Sequence, residues 1–178
     1  MSNMLKLVKP NEQYKDAIID MLDEWATYNQ TNPLANGSPA AIFNDDWHEF
    51  ERYCAAIDKI NDAGYVPQST YFCYDDSTQR MVGAVSIRHY LNDYLLHFGG
   101  HVGDGIRPSE RNKGYGKAMI ALALDKCKEM GLDRVLFVCD KVNVASAKII
   151  VANGGELENE KMHDDRIVQR YWITINQA

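Results

Sequence analysis

The chain has 178 residues, 46% of them hydrophobic, which suits one globular domain spanning 1–178 that needs no disulfide or metal staple. Its net charge of −6, from 19 basic and 25 acidic residues, argues against a nucleic-acid partner, because sequence-independent binding needs basic surface. Four cysteines without a C-x-x-C spacing signal neither a zinc site nor a redox pair. With no apolar run near 18 residues and no leader, they predict a protein of the reducing cytoplasm with no membrane partner.

Residues 4–8 read as a first strand stopped by Pro10, and Asn11 is placed to cap the helix that follows. Tyr14, Ile18, Met21, Leu22 and Trp25 form one apolar stripe at the helical period. Residues 31–44 hold Asn-Pro, Asn-Gly and Ser-Pro steps and read as a long loop of the kind used to bind or cover ligands. A second helix is expected from Asp45 or Asp46 to about Asp62, capped by Gly64. Two strands follow, over residues 70–74 and 81–91, forming a hairpin in which His89 shares a face with Val85 and Ile87 and reads as a core histidine.

A glycine-rich strand is expected from about Leu96, then a helix over about 113–130 and five consecutive apolar residues within 134–139, the mark of a central strand buried on both faces. Another helix over 143–153 and a hairpin turned at His163, Asp164 and Asp165 complete the chain. The strand–helix–strand unit over residues 100–139 predicts a right-handed crossover between parallel strands. The flanking hairpins add antiparallel strands, so the expectation is a mixed α/β fold with helices on the faces of its sheet.

Residues 98–120 carry the functional signal. Gly99, Gly100, Gly103 and Gly105 are too many for a comfortable strand interior, and mark a bulge or the close approach of a ligand. Asn112, Lys113, Gly114, Tyr115, Gly116 and Lys117 then open a helix whose unpaired N–H groups and dipole favour an anion. Arg111 and Lys113 add positive charge, so a diphosphate is the natural guest. The dinucleotide fingerprint and the P-loop pattern are both missing.

Arg111-x-x-Gly114-x-Gly116, entered from a strand and opening a helix, resembles the acyl-CoA-binding motif of the GNAT (Gcn5-related) N-acetyltransferase superfamily, in its bacterial stand-alone form. The likeness extends to the central strand, to Asn143 and Ser146 opening the next helix, and to the element order as a whole. It implies the acyl-CoA N-acyltransferase fold: a mostly antiparallel sheet whose central parallel pair splays at the cofactor site, with helices on both faces. It also implies acetyl-CoA as cosubstrate, no metal, and an amine-bearing acceptor. In that reading Asp104, Gly105 and Ile106 pair with the pantetheine arm through their backbone. Residues 112–117, with Arg111, hold the pyrophosphate, and Asn143 and Ser146 meet the arm where the strands part.

The acid–base half departs from the family. The usual glutamate positions are Gly100 and Val138, and the usual tyrosine is Ile150. An amine of pKa ~10.4 is deprotonated only about once in 2,500 molecules at pH 7, a cost near 4.6 kcal/mol, so a base is still needed. Asp104 and His101 are the candidates. These departures also suit an acyl-CoA-binding module of the same fold with little or no transferase activity, and a third reading is a nucleotide-binding αβ domain. The first two helices and the loop over 31–44 are expected to wall the acceptor site, and the sequence is compatible with a homodimer.

Overall fold

The computed structural model describes residues 4–32, 39–59 and 65–175. Strand β1 (Leu5–Val8) leads into helix α1 (Lys15–Thr31) and the short helix α2 (Phe50–Ala56). Strands β2 (Gln68–Asp75), β3 (Arg80–Arg88) and β4 (Val102–Ile106) follow. Helix α3 (Tyr115–Glu129), strand β5 (Arg134–Asp140) and helix α4 (Val144–Ala152) precede a closing hairpin, β6 (Glu156–His163) and β7 (Arg166–Thr174). The strands form two sheets, β1-β2-β3-β4 and β5-β7-β6, in which every ladder is antiparallel. β4 and β5, joined by the α3 crossover, are neighbouring edges.

Two apolar layers hold this arrangement. Ile18, Met21, Leu22 and Trp25 of α1 are fully buried against Phe72, Met81 and Ala84 on one face of the sheet. Met119, Ile120, Ala123 and Cys127 of α3 pack on the other, against Val85, Ile87, Val135 and Phe137. Each such side chain contributes on the order of 1.5–3 kcal/mol when removed from water. Asn11 starts the first helical segment as expected, its side chain accepting from the Gln13 N–H at 2.9 Å. A bulge at Val82 in β3 sends Val82 to the α3 side while Met81 faces α1.

Three local expectations are corrected. The second helix begins at Phe50 rather than at Asp45, because the Asp46 carboxylate takes the His48 N–H into a turn; its expected end and the Gly64 cap lie outside the described residues. The glycine-rich strand begins at Val102, not near Leu96. Asn92 accepts from the Leu95 N–H with its side chain and from the Leu96 N–H with its backbone, and this starts a helical turn, Leu95–Gly99. β3 ends at Arg88, so His89 lies beyond the strand, exposed and hydrogen-bonded to Ser69, and is not a core histidine.

Gly100 ends the turn at φ 71, ψ −176, a region open in practice only to glycine. A β-carbon there would stand 2.6 Å from the Leu136 carbonyl oxygen. Gly100→Ala is expected to destabilise the protein by roughly 1–3 kcal/mol from backbone strain alone, with the steric overlap adding to it. Urea denaturation of the two proteins measures this.

Candidate active site

The two sheets are tied at one point. The His101 N–H donates to the Leu136 carbonyl at 2.8 Å, and the Leu136 N–H donates to His101 Nδ1 at 2.9 Å. The second bond uses a side chain in place of a strand carbonyl, so the ladder stops there and β4 and β5 part. The Arg88 N–H donates to His101 O and the Arg107 N–H to Val82 O, so odd-numbered positions of β4 point their peptide groups at β3. By alternation, the peptide groups of Asp104 and Ile106 face the gap. On the other side the Lys141 N–H donates to Ile167 O and the Ile175 N–H to Asp133 O, which directs the peptide group of Val138 into the same gap. An extended chain carrying amides fits such a pair of open edges as an added strand.

Beyond the gap lies the turn into α3. Asn112 adopts φ 62 and Gly114 φ 88, and nothing lies within 4 Å of where a Gly114 β-carbon would be. Among the described residues, no protein group accepts from the N–H groups of Asn112, Lys113, Gly114, Tyr115, Gly116 or Lys117. These amides at a helix N-terminus fit a diphosphate. Gly116 does something else: a β-carbon there would meet Ile149 Cδ1 at 2.7 Å, so its lack of a side chain lets α3 and α4 pack closely.

The turn is held from several sides. Arg111 donates from Nε to Ile106 O at 3.0 Å and lies 4.9 Å above the Tyr28 ring. Lys113 pairs with Glu110 at 3.1 Å, and the Tyr115 hydroxyl donates to Asp75 at 2.7 Å. That carboxylate, with burial, pushes the Tyr115 hydroxyl up to about 12. Buried Arg107 donates to Glu24 at 2.8 Å and Asp20 at 2.7 Å, which ties the end of β4 to α1. Sequence reading passed over Arg107, since its partners are 83 and 87 residues away.

The two candidate bases sit in different surroundings. Asp104 is half-buried, and among the described residues its carboxylate forms no ion pair. Burial pushes its pKa up to about 6, with the Arg88 guanidinium pulling the other way. His101 is buried, and its Nδ1 is already an acceptor. Burial, then Arg88, lowers its pKa to about 4. At the start of α4, Asn143 Oδ1 accepts from the Ser146 N–H at 3.1 Å, leaving the amide NH2 of Asn143 to donate. Burial pushes the Cys139 thiol, on the neighbouring strand, up to about 11. Ile150 is buried one turn beyond Ser146 on the same face of α4. No group of three or more His, Cys, Asp or Glu among the described residues is placed to hold a metal ion.

The family model described as "Acetyltransferase (GNAT) domain" matches residues 5–156. The chain belongs to this family of N-acetyltransferases. Among solved structures, the ribosomal L7/L12 alpha-N-protein acetyltransferase RimL in complex with coenzyme A superposes with a TM-score of 0.69 at 15% identity, over 98% of this chain and 96% of that one. The spermidine N-acetyltransferase SpeG of Vibrio cholerae, in a mutant form, gives 0.65 at 14% identity over 97% and 94%. The microcin C7 self-immunity acetyltransferase MccE, in complex with acetyl-CoA and AMP, gives 0.65 at 15% over 97% and 93%. At these identities the likeness establishes the fold. A comparison with curated protein sequences finds no match. No described helix is long and apolar enough to cross a membrane.

The His101 bond carries a pH dependence. The imidazole is held at about 4 against an ordinary value of 6.5. Between those pH values the unfolded chain binds a proton that the folded one does not. The stability is therefore fully present above about pH 6.5 and falls toward pH 4, by on the order of 3 kcal/mol. His101→Asn, whose Oδ1 can take the same N–H, is expected to flatten this slope, and His101→Ala to lower stability already at pH 7. Urea midpoints measured from pH 7.5 to pH 4 separate the three proteins.

Proposed function

We propose that the protein is a cytoplasmic acetyl-CoA-dependent N-acetyltransferase that moves an acetyl group directly to a primary amine in a ternary complex. The observation that carries this is the split between β4 and β5, lined by peptide groups of Asp104, Ile106 and Val138 and leading to the free amides of residues 112–117. Acetyl-CoA supplies an activated thioester. The peptide groups of β4, with Gly105 leaving room beside them, align its pantetheine arm, and the Asn143 amide donates to the same arm. The turn's amides, Arg111 and Lys113 hold the pyrophosphate.

The chemistry then needs a proton sink. The neutral amine nitrogen bonds to the acyl carbon, Asp104 takes the proton that this nitrogen then sheds, directly or through water, and the C–S bond breaks with its electron pair leaving on sulfur. A carboxylate with a pKa near 6 is mostly ionised at pH 7 and holds a proton better than an ordinary aspartate. His101 serves as a positioning residue, since its Nδ1 is occupied by the Leu136 N–H. Ser146 stands in the first turn of α4, its N–H capped by Asn143, and its hydroxyl is the group at that end of the gap assigned to donate to the departing sulfur. With Ile150 buried, a tyrosine is not needed there, because a thiol of pKa ~8.5 is a tolerable leaving group.

Acetyl-CoA at millimolar concentration is expected to raise the melting temperature, and a thiol-release assay across amines to show turnover. Absence of both sinks the proposal. Tight coenzyme A binding with no turnover on any amine supports instead a binding module of the same fold, the reading that the lost glutamate and tyrosine positions favour. Asp104→Asn is expected to lower kcat by about 10²–10⁴ while leaving the acetyl-CoA shift in place. It should also remove a limb of the pH–rate profile that rises through about pH 6. Because the raised pKa means that ionised Asp104 costs stability above that pH, the same variant should be more stable at pH 7.

A further inference from the structure

Three arginines are drawn into the interior, and two of them are fully answered. Arg107 gives Nε to Glu24, Nη2 to Asp20 and Nη1 to the Met81 carbonyl. Arg170 gives Nε and Nη2 to Leu96 O and Nη1 to Glu158 and Asn159. Arg88, at the end of β3, is different. Its Nη1 reaches the carbonyls of Gly99 and Gly100, both at 3.3 Å. Among the described residues, Nε and Nη2 find no acceptor and no carboxylate pairs with the guanidinium. Asp104 acts on it only through space. A partly buried cation is costly until something pairs with it.

Arg88 and Ser86 line a cavity of about 290 Å³ on the α1–α2 side of the sheet. That is near the lower bound of ~300–1,000 Å³ common for small-molecule sites. Of the cavity's other charged groups, Asp58 is engaged by Lys9 and the Thr70 N–H, and neither it nor Asp45 forms an ion pair with Arg88, so among the described residues the guanidinium has no counter-ion there. The unanswered Nε and Nη2 lie on one edge of the guanidinium and make the parallel fork that fits a planar carboxylate. The position is also close to the chemistry. Arg88 Nη1 holds the carbonyls of Gly99 and Gly100, and Gly100 lies against Leu136 and Val138, where β4 and β5 part. A carboxylate on the other edge of the guanidinium is therefore held beside the end of the gap.

We infer that the acceptor is a small amino acid, its carboxylate held bidentately by Arg88 in this cavity and its α- or β-amine directed into the split between β4 and β5. The inference rests on the acetyltransferase reading and names its substrate class. Arg88 is the residue that sets specificity.

The test is thiol release from acetyl-CoA with the twenty amino acids, their carboxamides, spermidine and aminoethyl phosphate. The wild-type protein is expected to favour its best amino acid over the matching amide by about 100-fold, mainly in KM. Arg88→Gln should raise that KM by a similar factor and erase the preference, with the KM for acetyl-CoA and the acetyl-CoA thermal shift unchanged. Arg88→Lys should restore part of it. Calorimetric titration of the amino acid into the protein with coenzyme A bound reads the same contact without turnover. Equal use of acid and amide, preference for spermidine or the phosphate ester, no amino-acid binding, or a preference that survives Arg88→Gln would overturn the inference. Loss of the acetyl-CoA shift in the wild-type protein would instead bring down the transferase reading beneath it.

Discussion

The architecture depends on one substitution of a side chain for a strand. At Leu136 the amide that would continue a β4–β5 ladder is taken by the imidazole of His101. Had the ladder continued, the peptide groups of Asp104, Ile106 and Val138 would be spent on each other. Because it stops, they are left facing a gap inside an otherwise well-packed protein. The exchange demands a neutral imidazole, and burial keeps it so. It also demands Gly100 just before it, since any β-carbon would press on the Leu136 carbonyl. Two residues that look unrelated in sequence thus act as one hinge between two sheets.

The rest of the site is braced toward that gap. Arg107 joins the end of β4 to α1 through Asp20 and Glu24, and Arg111 stacks on Tyr28 of the same helix. Tyr115 joins the start of α3 to the end of β2 through Asp75. The free amides of the turn are therefore held by contacts from both faces of the sheet. Such preorganisation lowers the ordering cost of binding a flexible, highly charged ligand. It also links α1 with the turn that opens α3.

The sequence disclosed the parts whose causes are local. The Asn11 cap, the apolar stripe of α1, the apolar run of β5 and the helix opened at Asn143 each follow from neighbouring residues. The turn into α3 was legible for the same reason, because glycine at φ 88 and a helix start lie within a few positions. What was hidden depended on distant partners or on small local competitors. Nothing near His101 announces Leu136, 35 residues on. Nothing near Arg88 shows that, among the described residues, its Nε–Nη2 edge has no acceptor. Asn92 and Asp46 each redirect the backbone into a turn and displace the element that was expected to begin there. Gly116 makes room for Ile149, 33 positions on, which its neighbours in the chain do not announce.

The central claim, that the parted edges of β4 and β5 are where an acyl-CoA lies, is tested most directly by amide hydrogen exchange resolved to single residues, with and without acetyl-CoA. The account predicts that the Asp104, Ile106 and Val138 amides, with those of residues 112–117, exchange fast in the free protein and become protected together on adding acetyl-CoA, and not on adding ATP or NAD. Protection confined to other segments, with the gap amides unchanged at saturating acetyl-CoA, would contradict it.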